Sequence, residues 1–340
     1  MIAVDIGNTR AKFGYFTAQS LSSTFPEPAS NIKISYNKNN IGDGENLFGV
    51  AERKLIADWL CNKRDVVDWY ISVTASCCGA NSFVEELALI EPDGHFNLLT
   101  NGDIPIISNV EFPAKTGIDR LLDAIAAVRF VGGKLCGADS GNKNIQQDIE
   151  TINPSCLKKF QGAEHVIAAS RSVCSGAKPI AHTGCGIVVV DAGTAVTVNM
   201  ISVNNNASNN SAVFEGGVIL AGLRVLSVAL NQVSSKLPEV GLEQFQSVDL
   251  AYPAKNTESA IMTGILGSLI AAIDFFVKKS RVLNPNNIAK NLPIIFTGGD
   301  SAVIGKLFAE EFPDYNLSIV PELTLIGIAI AASENDKFLS

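Results

Sequence analysis

Asp5, Gly7 and Thr9 stand within one short turn, and together they can handle phosphate and a divalent ion. Ile2, Ala3, Val4 and Ile6 read as a buried strand that places Asp5 near its end. The polar Gly7-Asn8-Thr9 turn then leads into an alternating return strand over residues 11–16. Exposed turn N–H groups and a hydroxyl can cradle phosphate oxygens while the neighbouring carboxylate holds hydrated magnesium. An ordinary hairpin with a Gly-Asn turn fits the same residues. A second copy of the device changes the weight of the first. Ile187 to Asp191 is again apolar and β-branched, Ala192-Gly193-Thr194 follows, and a strand returns to Ile201. Two copies point to two related halves facing one cleft, with one nucleotide's phosphates between the turns.

Two further runs carry chemistry. Gly117-Ile118-Asp119-Arg120 opens a helix whose apolar positions 118, 121, 122, 125 and 128 give one buried face. Asp119 in the first turn is favoured by the helix dipole, and Arg120 fits a solvated side chain. As chemistry, Asp119 takes a proton from a substrate hydroxyl and Arg120 grips a carboxylate or phosphate bidentately. Thr297-Gly298-Gly299-Asp300 reads as strand end, glycine turn and helix start, which suits a phosphate or the face of an adenine ring.

The elements around these runs alternate strand and helix, as an α/β domain with helices covering a sheet requires. Helices are expected at 50–60, 83–90, 223–233, 256–281 and 323–333, and strands at 32–35, 68–73, 104–107, 292–297 and 317–320. Residues 204–211 read as a polar loop, and Phe214 to Gly222 as backbone brought close to a neighbour by paired glycines. The division expected is an N-terminal half over 1–116 and a C-terminal half over 117–340. Residues 132–184, rich in Gly, Asn and Ser, read as an insertion in the second half. Gly264 and Gly267 on neighbouring positions of the long helix suggest a close helix contact, within the chain or between subunits.

The chain has 340 residues, is 47% hydrophobic and carries a formal charge of −8. No Lys/Arg cluster stands out, which argues against nucleic acid and anionic membrane as partners. The longest apolar run, Ile261 to Val277, is interrupted by polar residues and glycine and reads as too short to span a bilayer. The first residues are already a strand rather than a secretion signal, so the cytoplasm is the expected location. Seven cysteines without a C-x-x-C pair, and three histidines, argue against a zinc site and for reduced thiols.

Taken in order, these runs resemble the type III pantothenate kinases, within the acetate and sugar kinase/heat-shock 70/actin superfamily. The matching residues are D-I-G-N-T-R-A-K at 5–12, G-I-D-R at 117–120, D-A-G-T-A-V-T at 191–197, G-G-V-I at 216–219, N-T at 256–257, T-G-G-D at 297–300 and L-x-x-x-G at 323–327. The resemblance implies two similar ribonuclease-H-like domains around a nucleotide cleft. It implies ATP-dependent phosphorylation of pantothenate to 4′-phosphopantothenate, the first step of coenzyme A biosynthesis, by a homodimer. It implies Asp5 near magnesium, with Gly7, Asn8, Thr9 and Lys12 around the phosphates, joined by Gly193, Thr194, Gly298 and Gly299. Asp119 becomes the base on the pantothenate hydroxyl. Gly117, Ile118 and Arg120 become substrate-binding residues, and Thr257 reaches the neighbouring subunit's site. Asp191 lies near a monovalent cation, potassium or ammonium. Three positions depart from the family pattern: Asn199 where Asp is usual, Ala221 where Pro is usual, and Val110 where an aromatic residue is common. They bear on cation and pantothenate affinity. Two alternatives stay open: another small-molecule kinase of the superfamily, and a nucleotide-binding regulatory protein of the same fold with weak catalysis.

Overall fold

The computed structural model describes residues 1–36, 48–63, 68–74, 80–131, 185–206, 209–247, 252–283 and 292–334. The insertion expected at 132–184 lies outside the described residues, and with it the cysteines at 136, 156 and 174. Two sheets organise the rest. In the first, β1 (Ile2–Ile6) pairs antiparallel with β2 (Arg10–Tyr15), which pairs antiparallel with the edge strand β3 (Ser30–Ser35). On its other side β1 runs parallel to β4 (Asp68–Val73), and β4 parallel to β5 (His95–Leu98). The order is β3-β2-β1-β4-β5.

The second sheet repeats this plan. β7 (Cys185–Ala192) pairs antiparallel with β8 (Ala195–Asn206), and β8 with β9 (Asn209–Ala221). On its other side β7 runs parallel to β10 (Pro293–Thr297), and β10 to β11 (Asn316–Ile319). A short strand, β6 (Ile107–Ser108), adds parallel to β9, so the order is β11-β10-β7-β8-β9-β6. Three antiparallel strands followed by two parallel ones, twice, is the duplicated ribonuclease-H-like arrangement read from the two Asp-Gly-Thr hairpins.

Local readings changed in three places. Residues expected as a polar loop at 204–211 are mostly strand ends, since β8 and β9 stay paired out to Asn206 and Asn209. The strand expected at 104–107 shrinks to β6, because Pro105 removes a backbone donor from the run. β5 was not foreseen; its four residues are too few for periodicity to register.

Side-chain alternation along the central strands decides the layers. Ile2, Val4 and Ile6 face an outer core with Ile56 and Leu60 of α2 (Val50–Leu60) and Phe83 and Leu87 of α3 (Ala80–Ile90). Val188, Val190 and Ala192 face the opposite outer core, under α5 (Leu223–Val233), α6 (Thr257–Leu283) and α7 (Ser301–Glu311). Ala3, Ile187 and Val189 face the central layer, filled by α4 (Ile118–Phe130) and α8 (Leu323–Glu334). Asp5 shares the parity of Ala3, and Asp191 that of Val189. The fold therefore turns both carboxylates to the same inner layer. The chain crosses between the sheets: β6 precedes residue 117 yet joins the second sheet, and α8 packs on β1 and β4 of the first.

α4 and α8 cross at Gly327, where an added Cβ would lie 2.3 Å from the Leu122 carbonyl oxygen. Gly327→Ala must push backbone apart in the central core. We expect it to cost about 1–3 kcal/mol, read as a lowered Tm.

α6 corrects one expectation. It is a continuous helix of 27 residues, and by length and composition it is apolar enough to cross a membrane. One face of it, from Ile261 through Ile265, Leu269 and Ile273 to Val277, is buried against the second sheet, as a core helix of a folded domain would be. The close helix contact expected at Gly264 and Gly267 is not made among the described residues. Nothing lies within 4 Å of where a Cβ would stand at either.

Candidate functional site

The two hairpin turns meet across a cleft. The Gly7 N–H donates to Arg10 O (3.0 Å), and the Gly193 N–H to Ala195 O (2.9 Å), closing two tight turns. Their threonines face one another, with Thr9 Oγ1 3.5 Å from Thr194 Oγ1. Between them opens a cavity of about 790 Å³, lined among others by Asp5, Gly7, Asn8, Thr9, Lys12, Gly193, Thr194, Gly298 and Gly299. Asp119 and Asp191 line it too. Eleven of the residues proposed from sequence, scattered over nearly 300 positions, thus converge.

The electrostatics of this cleft are set by acids around one lysine. The β1–β2 register puts Lys12 opposite Asp5, with Nζ 3.4 Å from Asp5 Oδ2. Ser72 of the neighbouring β4 donates to Asp5 Oδ1 at 3.3 Å. Burial opposes the Lys12 charge, but Asp5, Asp191 and Asp123 outweigh it and hold the ammonium above its ordinary value. Asp119 is pushed up to about 7, first by burial and then by the charges of Asp191 and Asp5. Its Oδ1 accepts the Arg120 backbone N–H at 2.9 Å. Gly117 leaves room for that fold-back, since a Cβ there would stand 2.5 Å from the same oxygen. Asp191 is raised by burial against the opposing charge of Lys12.

Glycines build the third wall. Gly298 has φ +92°, and a Cβ there would lie 2.3 Å from Asp191 Oδ1 and 2.4 Å from Ala192 O. Only glycine lets β10 turn this close to the Asp191 carboxylate. The turn is pinned by the Asp300 N–H to Ala192 O (2.8 Å) and by Ser301 Oγ to Gly298 O (2.7 Å).

Four proposed residues do not line this cavity. Ile118 is buried in the central core, and Gly117 caps α4. Arg120 turns to β8, where its Nε donates to Asn199 Oδ1 at 2.8 Å. Thr257 is exposed at the start of α6, where Asn256 Oδ1 accepts the Ser259 N–H and caps the helix.

Several residues went unnoticed in the sequence. Asp123, one turn beyond Asp119, is fully buried; Thr324 Oγ1 of α8 donates to its Oδ1 at 2.8 Å. Its other oxygen has no hydrogen-bond partner among the described residues, and burial, then Asp191 and Asp119, push the group far above the carboxylate range. Its i, i+4 spacing from Asp119 was the available signal. Arg10 and Asp300 line the cavity, and burial raises Asp300 against the charge of Arg10. A wall of Arg224, Val225, Val228 and Gln232 comes from one face of α5. Helical spacing alone makes that face legible, but not that it fronts a cleft.

Two duplicated halves with paired Asp-Gly-Thr hairpins across a cleft define the actin-like class of α/β nucleotide-cleft folds. Within that class, a family model described as type III pantothenate kinase matches residues 173–279. The chain is similar to proteins named type III pantothenate kinase. It is 32% identical over 163 residues to the one from Thermosipho africanus, covering 48% of this chain and 53% of that protein. It is 29% identical over 242 residues to the one from Rubrobacter xylanophilus, covering 70% and 78%. Against the first relatives matched, the chain spans about half of their length. Among solved structures, a conserved putative Baf family transcriptional activator from Campylobacter jejuni aligns with a TM-score of 0.47 and 15% identity, covering 99% of this chain and 100% of that one.

Proposed function

We propose that this protein phosphorylates pantothenate to 4′-phosphopantothenate with ATP, the entry step of coenzyme A biosynthesis. The observation that carries the reading is Asp119. A carboxyl with a pKa near neutrality, in the same cleft as two facing Gly/Thr turns, is a base poised where a transferable phosphoryl group would sit. Similarity to named pantothenate kinases supports the choice of acceptor.

The residues fit a magnesium nucleotide. The turns at Gly7 and Gly193 leave open space where side chains would stand, with no neighbouring atom nearer than 3.5 Å to either missing Cβ. Asn8, Thr9 and Thr194 present polar groups to that space; Asp5 would hold a hydrated magnesium ion, and Lys12, paired with Asp5, would face the phosphates. Bound magnesium and ATP supply the phosphoryl group and neutralise charge as it spreads. Asp119 takes the acceptor hydroxyl's proton. Asp191, whose Oδ1 lies with the Ala192 carbonyl oxygen close to Gly298, would be the residue to hold a potassium or ammonium ion.

We further infer a cytoplasmic homodimer. The outer face of α6 leaves Ala260, Gly264, Ala271 and Phe275 exposed, and in such a dimer Thr257, exposed at the helix start, would reach the neighbouring subunit's acceptor site. ADP release by the purified full chain tests the enzyme reading. With magnesium and ATP, turnover should depend on pantothenate and be faster in potassium than in sodium buffer. Sugar-dependent turnover without any response to pantothenate would refute the acceptor.

A further inference from the structure

Each glycine turn of the cleft is covered by the residue that follows the third strand of its sheet, and the two halves do this differently. β3 pairs with β2 as far as Arg10↔Ser35, so Tyr36 is the first residue past that strand. Its hydroxyl donates to the Gly7 carbonyl oxygen. β9 pairs with β8 as far as Ala195↔Ala221, so Gly222 is the first residue past that one. Its backbone N–H donates to Thr194 O at 3.1 Å, and a Cβ on it would collide with Gly193 O. Gly193 holds the place in the second Asp-x-Gly turn that Gly7 holds in the first. In one half the backbone itself closes on the turn; in the other a tyrosine side chain reaches it.

The Tyr36 hydroxyl is placed by the core rather than by the turn. Its ring meets Phe48 edge-on at 6.2 Å and Phe83 at 5.7 Å. Both phenylalanines are fully buried in the outer core of the first sheet. Tyr36 also lines the cleft, together with Gly7, Asn8 and Thr9. On the other flank Thr74, just past β4, donates its N–H at 2.9 Å and its hydroxyl at 3.3 Å to Ile6 O. The Gly7–Asn8 peptide is trans, so its C=O and N–H point in opposite directions. A hydroxyl that fixes the Gly7 oxygen therefore also fixes the direction of the Asn8 N–H.

We propose that Tyr36 is a positioning residue for nucleotide binding: anchored in the outer core, it sets the first turn in the conformation that receives a phosphate, as Gly222 does for the second. This rests on the nucleotide part of the kinase reading above and deepens it. A turn already ordered loses less freedom when an anion docks, so the bond contributes to affinity for the phosphates and not for the acceptor. Tyr36→Phe removes the hydroxyl and leaves the ring between Phe48 and Phe83.

The test compares the full chain with its Tyr36→Phe variant, by calorimetric titration with ADP and magnesium and by steady-state kinetics. We expect the Kd for ADP and the KM for ATP to rise about fivefold, the net worth of one hydrogen bond between neutral groups. The KM for pantothenate and kcat should stay within about twofold of wild type. A ring that only fills the core would leave all four values unchanged, since phenylalanine fills it equally. Unchanged ADP affinity, or equal rises in the KM values for ATP and pantothenate, would overturn the role of Tyr36. Wild type that binds no ADP would instead overturn the nucleotide reading itself. The ADP titration decides the role of Tyr36 whatever the acceptor proves to be.

Discussion

Asp119→Asn should lower kcat by about 10²–10⁴, the usual contribution of a positioned base, while the protein stays folded. Asparagine keeps the size of the side chain and can still accept the Arg120 backbone N–H, so the loss reports proton transfer rather than geometry. The raised pKa of about 7 adds a second signature. The base works deprotonated, so kcat/KM of the wild type should fall on the acid side of about pH 7 and level off above it. The stability signature has the opposite sense. A carboxyl whose folded-state pKa lies above its ordinary 3.8 contributes stability fully below that value and loses it as pH rises through about 7. The Asn variant should therefore gain Tm relative to wild type at pH 8 and not at pH 3.5. Wild-type-like kcat in Asp119→Asn would remove Asp119 as the base.

Lys12→Met carries the second large effect. The methionine side chain fills the channel of the lysine stem but removes the ammonium that acts on Asp5, Asp191 and Asp123. In the proposed reaction the same charge faces the phosphates. By analogy with loss of one preorganised donor, kcat should drop by about 10²–10³. Lys12→Arg should recover little of it, because a planar fork replaces a point charge in a strand position crowded by Asp5. Steady-state kinetics at saturating ATP reads the effect, and circular dichroism separates it from unfolding. A Lys12→Met protein with unchanged kcat would show that the lysine only balances the acids.

The positions where the sequence spoke clearly are those where local rules and tertiary structure agree. Asp5 and Asp191 were found because strand alternation and Gly-Thr turns are short-range features, and the inner-layer parity follows from them. Asp119 and the glycine turn at 298 were visible for the same reason. What stayed hidden depends on packing between distant elements. Asp123 reads as an ordinary polar position of α4 until α8 brings Thr324 onto it, 201 residues away. The α5 wall is an unremarkable helix face until the other half of the duplication stands opposite. Asn199 was noticed only as a missing charge, and its bond to Arg120 across 79 positions gives that absence a structural meaning. Nor does the sequence show that β6 pairs with the second sheet or that α8 packs on β1 and β4 of the first, since both depend on contacts between distant segments.

The most direct test is product identification. Full-length protein incubated with ATP, magnesium, potassium and pantothenate would be followed by ³¹P NMR, with mass spectrometry of the product. We expect a phosphomonoester at the mass of 4′-phosphopantothenate to grow in step with ADP. ADP with inorganic phosphate alone, or unchanged ATP from a folded protein, would contradict phosphoryl transfer to pantothenate in this cleft.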